Sequence, residues 1–227
     1  MLYFITPCWG RVTLTAICLE QRQRAIEILA NHGVEARCVV IADDENLATA
    51  IRLGFETIRQ DNEWLGRRFN DGFQHARDHG AEWMVPIGSD SWIDPWYFLP
   101  LPDPAYTRTS ALYAVVKPRR IGYLKVGAKN PAGPHVIHRD RLPESGRPAK
   151  DELTRYIDSS TIKGLRDVRW DSRDLHPLQY IGFRQEPMIT PYQRLMDAWG
   201  VHQSNDPWGA LATCYPRDLV ERARAIL

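Results

Sequence analysis

Five apolar-dominated positions, Leu2 to Thr6, run uninterrupted up to Pro7 and Gly10, which predicts a buried strand followed by a loop. From Val12 to His32 the apolar residues Leu14, Ile17, Leu19, Ala25, Ile26 and Leu29 recur at mixed three and four spacing. That spacing predicts a long amphipathic helix, with Gly33 as its stop. "ARCVVIA" (36 to 42) reads as a second buried strand that runs into Asp43-Asp44. A short helix over 45 to 53 and a third strand at "FETIRQ" follow. Residues 65 to 79 again have helical spacing and end at Gly80, after which "EWMVPIG" forms a fourth strand delivering Asp90.

Alternation of strand and helix within the first 90 positions implies a parallel sheet. Open sheets of this kind bind ligands beyond the carboxyl ends of their strands. Thr6-Pro7, Asp43-Asp44 and Asp90 all fall at such ends. After Pro95 the pattern changes. Pro100, Pro102 and Pro104 form a stiff connector, and "SALYAVVKP" and "IGYLKVGA" read as two strands. Residues 151 to 165 read as helix and "LQYIGFRQEP" as a late strand. Residues 1 to 98 are thus the ligand-binding half, and residues 99 to 227 an acceptor-facing half of the same domain.

Charge sharpens this division. Residues 1 to 116 carry 10 Lys and Arg against 15 Asp and Glu, whereas residues 117 to 227 carry 19 against 13. Nine bases lie in 117 to 150, beside only Asp140 and Glu144. Such a stretch either meets phosphates, of a nucleotide or of DNA, or is a solvated loop. The four cysteines show no C-x-x-C pair and suit a reducing cytosol. No apolar run approaches the roughly 20 residues of a membrane span.

Asp90, flanked by Ser89 and Ser91, offers hard oxygen ligands to a divalent cation, or else ends the strand as a turn residue. Asp43 and Asp44 offer a carboxylate to a ribose or base, or one of them caps the next helix; both hold if Asp43 reaches the ligand and Asp44 caps. Arg67 and Arg68 suit bidentate phosphate contacts or a solvated helix face. Asn70 and Gly72 have poor helix propensity, which a close approach of ligand or strand explains. His75 and His79 are at a zinc-type i, i+4 spacing, although an exposed helix face is the plainer reading. Trp92, Trp96 and Tyr97 either stack on a sugar ring or fill the core. Asp158 is the candidate base of the second half, with Asp151 and Glu152 as rivals for the role, or else the N-cap of a short helix. G-x-G-x-x-G, P-loop and G-x-S-x-G motifs are all missing.

In order and spacing these segments resemble a GT-A glycosyltransferase of the glycosyltransferase family 2 type. "FITPCWGR" resembles that family's first strand and nucleotide loop, which sets Thr6, Pro7 and Arg11 against the donor. "VVIADDEN" resembles its second strand, with Asp43 in the base-binding acidic position. "NEWLGRRFNDGFQHARDHGAEWMVPIGSDSWIDP" is similar to the helix, strand and D-x-D motif, implying donor contacts from Arg67, Asn70 and Ser89 and a metal contact from Asp90. "HVIHRDRL" is similar to the stretch that carries a metal-contacting His, here His138. "YIDSS" is similar to the stretch that holds the catalytic base, here Asp158. The motif departs from the family in reading Ser89-Asp90-Ser91, with one acid where two or three are usual.

The resemblance implies an α/β GT-A (Rossmann-like) single domain with a mainly parallel central sheet. It implies Mn²⁺- or Mg²⁺-dependent, inverting transfer of a sugar from a nucleotide sugar, a UDP-sugar foremost, to an acceptor hydroxyl. The acceptor would be a glycan, a small molecule or a hydroxymethylated DNA base, and the setting cytoplasmic (the host cytoplasm for a phage-type member). A nucleotidyltransferase and a non-catalytic sugar-nucleotide binding module are the alternatives.

Overall fold

Seven successive buried residues, Leu2–Cys8, form the central strand β1. The computed structural model describes residues 1–101, 135–152, 178, 180–183 and 206–227, with strand backbone also at 107–108, 112–117, 120–125, 171–172 and 201–203. β1 pairs in parallel with β2 (Ala36–Ala42) along its whole length, and with β4 (Trp83–Pro86) over Leu2–Ile5. β3 (Glu56–Arg59) extends the sheet beyond β2, and the antiparallel β9 (Ile137–His138) closes it beyond β4. The resulting order is β3-β2-β1-β4-β9, a mixed α/β architecture with a mainly parallel sheet.

Two helices, α1 (Val12–Asn31) and α2 (Asp44–Arg52), carry the chain outward from β1 to β3. A third, α3 (Leu65–Asp78), carries it back across to β4. Right-handed crossovers in opposite directions require opposite faces of the sheet. The packing agrees: Leu19, Leu29 and Ala50 join Phe4 and Val40 on one face. Phe69, Phe73 and Ala76 join Tyr3, Ile5 and Ile41 on the other. Alternate residues of β1 therefore serve two cores, as the two-residue period of a strand demands. Gly72 accounts for the odd composition of α3, because a Cβ there would collide with Ile5 Cγ2 and come within 2.8 Å of Ile41 Cδ1.

The chain order reverses between β1 and β4, and at such a switch point an open sheet of this kind has its ligand crevice, beyond the carboxyl ends of the two strands. A second layer braces that crevice. β5 (Ser91–Ile93) pairs antiparallel with β11 (Tyr180–Gly182). Against it and α1 pack α4 (Pro207–Ala212) and α5 (Arg217–Ile226), around Trp92, Phe183 and Tyr215. The two strands expected here, β7 (Leu112–Lys117) and β8 (Arg120–Lys125), pair antiparallel as a hairpin, extended by β12 (Val201–Gln203). Two-residue strands β6 (Thr107–Arg108) and β10 (Asp171–Ser172) pair in parallel.

Several boundaries differ from the sequence expectation, and three of them bear on the site. β1 continues through Pro7 to Cys8, since β4 has already left that edge and β2 supplies the remaining pairing. The fourth strand stops at Pro86, and Ser91 already belongs to β5. The short helix begins at Asp44, one residue early. Of the helix expected over 151 to 165, Asp151 and Glu152 form a turn and the rest lies outside the described residues.

Candidate functional site

The loop from β1 into α1 turns through two left-handed residues, Gly10 at φ 54° and Arg11 at φ 45°. Glycine takes that conformation freely, whereas a residue with a Cβ does so at a cost of about 1–2 kcal/mol. Arg11 is held there by its guanidinium, whose Nη1 donates to Asp90 Oδ2 at 3.0 Å across the switch-point crevice. α1 starts at this loop with no side-chain cap and no acidic residue in its first turn. Its first backbone N–H groups and the Arg11 charge thus converge at one end of the crevice, an arrangement suited to an anion. Trp9, in the same loop, is 50% exposed.

Asp90 itself is nearly buried, in a turn built to hold it. Gly88 makes room for it, since a Cβ there would stand 2.8 Å from Asp90 Oδ1. Ser91 Oγ donates to Asp90 Oδ1 at 3.2 Å and accepts from Tyr180 Oη at 3.0 Å. Phe183 N donates to the Asp90 carbonyl at 2.7 Å. From beneath, α1 contributes two buried polar side chains. Gln21 Nε2 donates to Ile93 O at 2.7 Å, and Arg22 Nη2 donates to Ser91 O at 3.1 Å while lying over the Phe4 ring. Burial lowers the pKa of Arg22.

Next to this, the ends of β2 and β3 form a second group. Asp43 is the N-cap of α2, accepting from Asn46 N at 3.4 Å and from Asn46 Nδ2 at 3.0 Å. Asp44 instead pairs with Arg59 at 2.7 Å, so the capping task expected of Asp44 belongs to Asp43. The reason is the earlier helix start, which moves the cap position back by one. Arg68 is buried, not solvated, and its guanidinium bonds Cys8 O, Ile41 O and Asn62 Oδ1 at the strand ends. Arg67 is exposed and lines a polar hollow of about 320 Å³ with Arg59, Gln60, Asp61, Glu63 and Trp64.

Other sequence candidates stand elsewhere. Thr6 is fully buried, with Oγ1 turned to Cys38 Sγ at 3.7 Å, and Pro7 is buried beside it. Asn70 spends both ends of its amide on the neighbouring loop: Nδ2 donates to Ala149 O and Asp151 Oδ1, and Oδ1 accepts from Ala149 N. Ser89 is buried within the turn. His138 pairs with Trp83 at the amino end of β4, the opposite end from Asp90, and lies near Glu82 and Asp140. Asp158 lies outside the described residues. Trp92 and Tyr97 are core, and exposed Trp96 meets the His32 ring at the far end of α1.

Within the basic stretch, the described side chains of Arg139 and Arg141 are exposed beside the amino end of β4, and Arg147 is paired with Asp71 and Asp151. Burial pushes up the thiols of Cys8, Cys18 and Cys38, the last to about 11, which makes them poor nucleophiles. Sequence reasoning missed Gln21, Arg22, Trp9 and Tyr180. Only Trp9, next to Gly10 at a strand end, carried a readable signal.

No known family description and no curated protein matches this sequence. Among solved structures, the catalytic domain of Drosophila beta1,4-galactosyltransferase 7 in complex with xylobiose overlays 62% of this chain at 12% identity and a TM-score of 0.41. A mutant of that enzyme in complex with manganese, UDP-Gal and xylobiose overlays 61% at 13% identity, also at 0.41. In both cases this chain spans 49% of the other. Mannose-1-phosphate geranyltransferase from Thermus thermophilus overlays 80% of this chain and 73% of its own, at 12% identity and a TM-score of 0.39. Among the described residues no helix is long and apolar enough to cross a membrane.

Proposed function

We propose that this chain is a glycosyltransferase that moves a sugar from a nucleotide-sugar donor, UDP-linked foremost, to an acceptor hydroxyl. One observation carries the reading: Arg11 and Asp90 meet at 3.0 Å in the switch-point crevice, at the uncapped start of α1. A nucleoside diphosphate needs positive charge and N–H donors, and that crevice presents both. Trp9 and the hollow beside Trp64 and Arg67 offer surfaces for the nucleoside, with Asp43 toward the ribose.

A divalent cation fits the donor set if it takes the place of the Arg11 guanidinium on Asp90. Asp90 would be the residue that holds it, as a hard carboxylate ligand of the kind such cations prefer. Mn²⁺ or Mg²⁺ so held would offset the charge that builds on the departing nucleoside diphosphate. With a cation held by Asp90, the Arg11 guanidinium would serve the diphosphate as a second positive charge. Asp158 is the base in this reading, taking the proton of the acceptor hydroxyl as the glycosidic bond forms, with inversion at the anomeric carbon. The acceptor in this reading is a glycan, a small-molecule hydroxyl or a hydroxymethylated DNA base, which the salt sensitivity of acceptor binding separates.

Nucleotidyl transfer is the second reading, favoured by the left-handed Gly10-Arg11 loop after β1. The test is thermal stabilisation by UDP-, GDP- and TDP-sugars, with and without Mn²⁺, in wild type and Asp90→Ala. Binding to the native state alone raises apparent stability by mass action. A shift that requires one donor and the metal, and is lost in the variant, supports the assignment. Stabilisation by nucleoside triphosphates in place of any sugar nucleotide would favour the second reading, and no shift at all would return Asp90 to a turn residue.

A further inference from the structure

Away from the crevice, three metal-capable side chains meet where the edge strand β3 passes the last turns of α3. Ligand atoms of Glu56, His75 and His79 all lie within 4.8 Å of one another. We propose that these three residues form a binding site for a zinc-class divalent cation, separate from Asp90 and independent of the sugar-transfer reading.

Helical spacing of four puts His75 and His79 on one face, and their rings stack with centroids 4.1 Å apart. His79 and Glu56 are each oriented by a further hydrogen bond. His79 Nδ1 donates to the His75 carbonyl at 2.8 Å, so the lone pair of the neutral ring is on Nε2, pointing away from the backbone. A ligating histidine characteristically makes such a bond with its other nitrogen. Glu56 Oε2 accepts from Tyr3 Oη at 2.6 Å and lies 2.5 Å from His75 Nε2. Burial opposes ionisation of Glu56, but the bonds from Tyr3 and His75 outweigh it and hold the carboxyl below its ordinary value.

The ion replaces the proton that His75 Nε2 shares with Glu56. That proton moves to Nδ1, or leaves to solvent if the ring is an imidazolium. Tetrahedral ligands at 2.0–2.2 Å from zinc stand about 3.3 Å apart, so the His75–Glu56 pair opens by less than about 1 Å. Arg37 approaches the other carboxylate oxygen, Oε1, at 3.7 Å, and leaves Oε2 to the metal. Two imidazoles and one carboxylate suit zinc, and nickel or copper as well, and leave a fourth position for water. Because His79 is exposed, that position opens to solvent. The ion ties the edge strand to the carboxyl end of the helix whose other end holds Arg68 and the polar hollow.

The experiment is calorimetric titration of metal-free protein with Zn²⁺, alongside the visible absorption of a Co²⁺ complex. Wild type and Asp90→Asn should each bind one equivalent with a dissociation constant of about 1 μM or below, and Co²⁺ should give the bands of a four- or five-coordinate site. His79→Ala, at an exposed position, should leave the metal-free melting temperature unchanged and weaken binding about tenfold or more. Glu56→Gln should weaken it as well. Zinc binding of equal strength in His79→Ala, or no saturable binding below about 100 μM, would reduce the cluster to a hydrogen-bonded staple and overturn the site.

Discussion

Arg11 Nη1 and Asp90 Oδ2, 79 positions apart in the chain, are joined by a 3.0 Å ion pair that spans the ends of β1 and β4. It couples the two loops that border the crevice. Arg11→Ala removes a guanidinium that the proposed function assigns to the diphosphate. A charge-assisted hydrogen bond contributes about 1.5–3 kcal/mol, so donor affinity should fall about tenfold to a hundredfold. Calorimetric titration with the donor checks this. Undiminished affinity would mean that Arg11 serves Asp90 alone.

Trp9 stands in the same loop, half exposed, and belongs to none of the buried core clusters of the described residues. Its replacement by Ala should therefore leave the melting temperature within about 1 °C of wild type, as expected of a surface change. If the indole stacks on the nucleoside, the same variant loses about 1–3 kcal/mol of donor binding. Separating the two readouts distinguishes a ligand platform from a solvent-facing aromatic.

A buried glycine gives the opposite pattern. Gly72 lies where α3 crosses β1 and β2, with no room for a methyl group between it and Ile5 or Ile41. Gly72→Ala gains about 1 kcal/mol of helix propensity and loses about 1–3 kcal/mol to overpacking. The net effect should be a modest fall in melting temperature, read by calorimetry without donor. A rise would show that α3 can lift off the sheet at little cost.

Much of the first half was legible because apolar periodicity reports which face of each element is buried. α1, β2 and α3 came out within one or two residues for that reason. The same logic hid Gln21, Arg22 and Arg68, since a polar side chain reads as outward-facing until a strand end or a turn needs its donors. Arg68 satisfies two backbone carbonyls from strands 60 and 27 positions away, information that no local window contains. Asp43 and not Asp44 caps α2, because the helix starts one residue earlier than the pattern predicts, and Asp44 pairs with Arg59. The family resemblance makes His138 a metal ligand, whereas β9 runs antiparallel to β4 and leaves it at the amino end of that strand, away from Asp90. Thr6 was legible in principle, because strand parity puts it on the same core face as Leu2 and Phe4.

Asp151 links that buried network to pH. Its carboxylate accepts from Asn70 Nδ2 at 2.7 Å and from Arg147 Nη2 at 2.9 Å, and its backbone oxygen accepts from Arg67 N. Chiefly the Asn70 donation, with burial opposing and Arg147 assisting, holds the carboxyl below the usual aspartate value. A folded value below the unfolded one means that the unfolded chain binds the proton first. The stabilisation is therefore complete above the unfolded value and is lost as pH falls through the folded one. Asp151 is part-exposed, so at neutral pH Asp151→Asn should cost no more than about 1 kcal/mol. That gap in melting temperature should narrow below about pH 4, as the wild-type carboxyl takes up its proton. Calorimetry of both proteins from neutral pH down to the acid limit of folding checks it. A gap that stays constant across the range would assign the effect to the shape of the loop against α3, with no part for the charge.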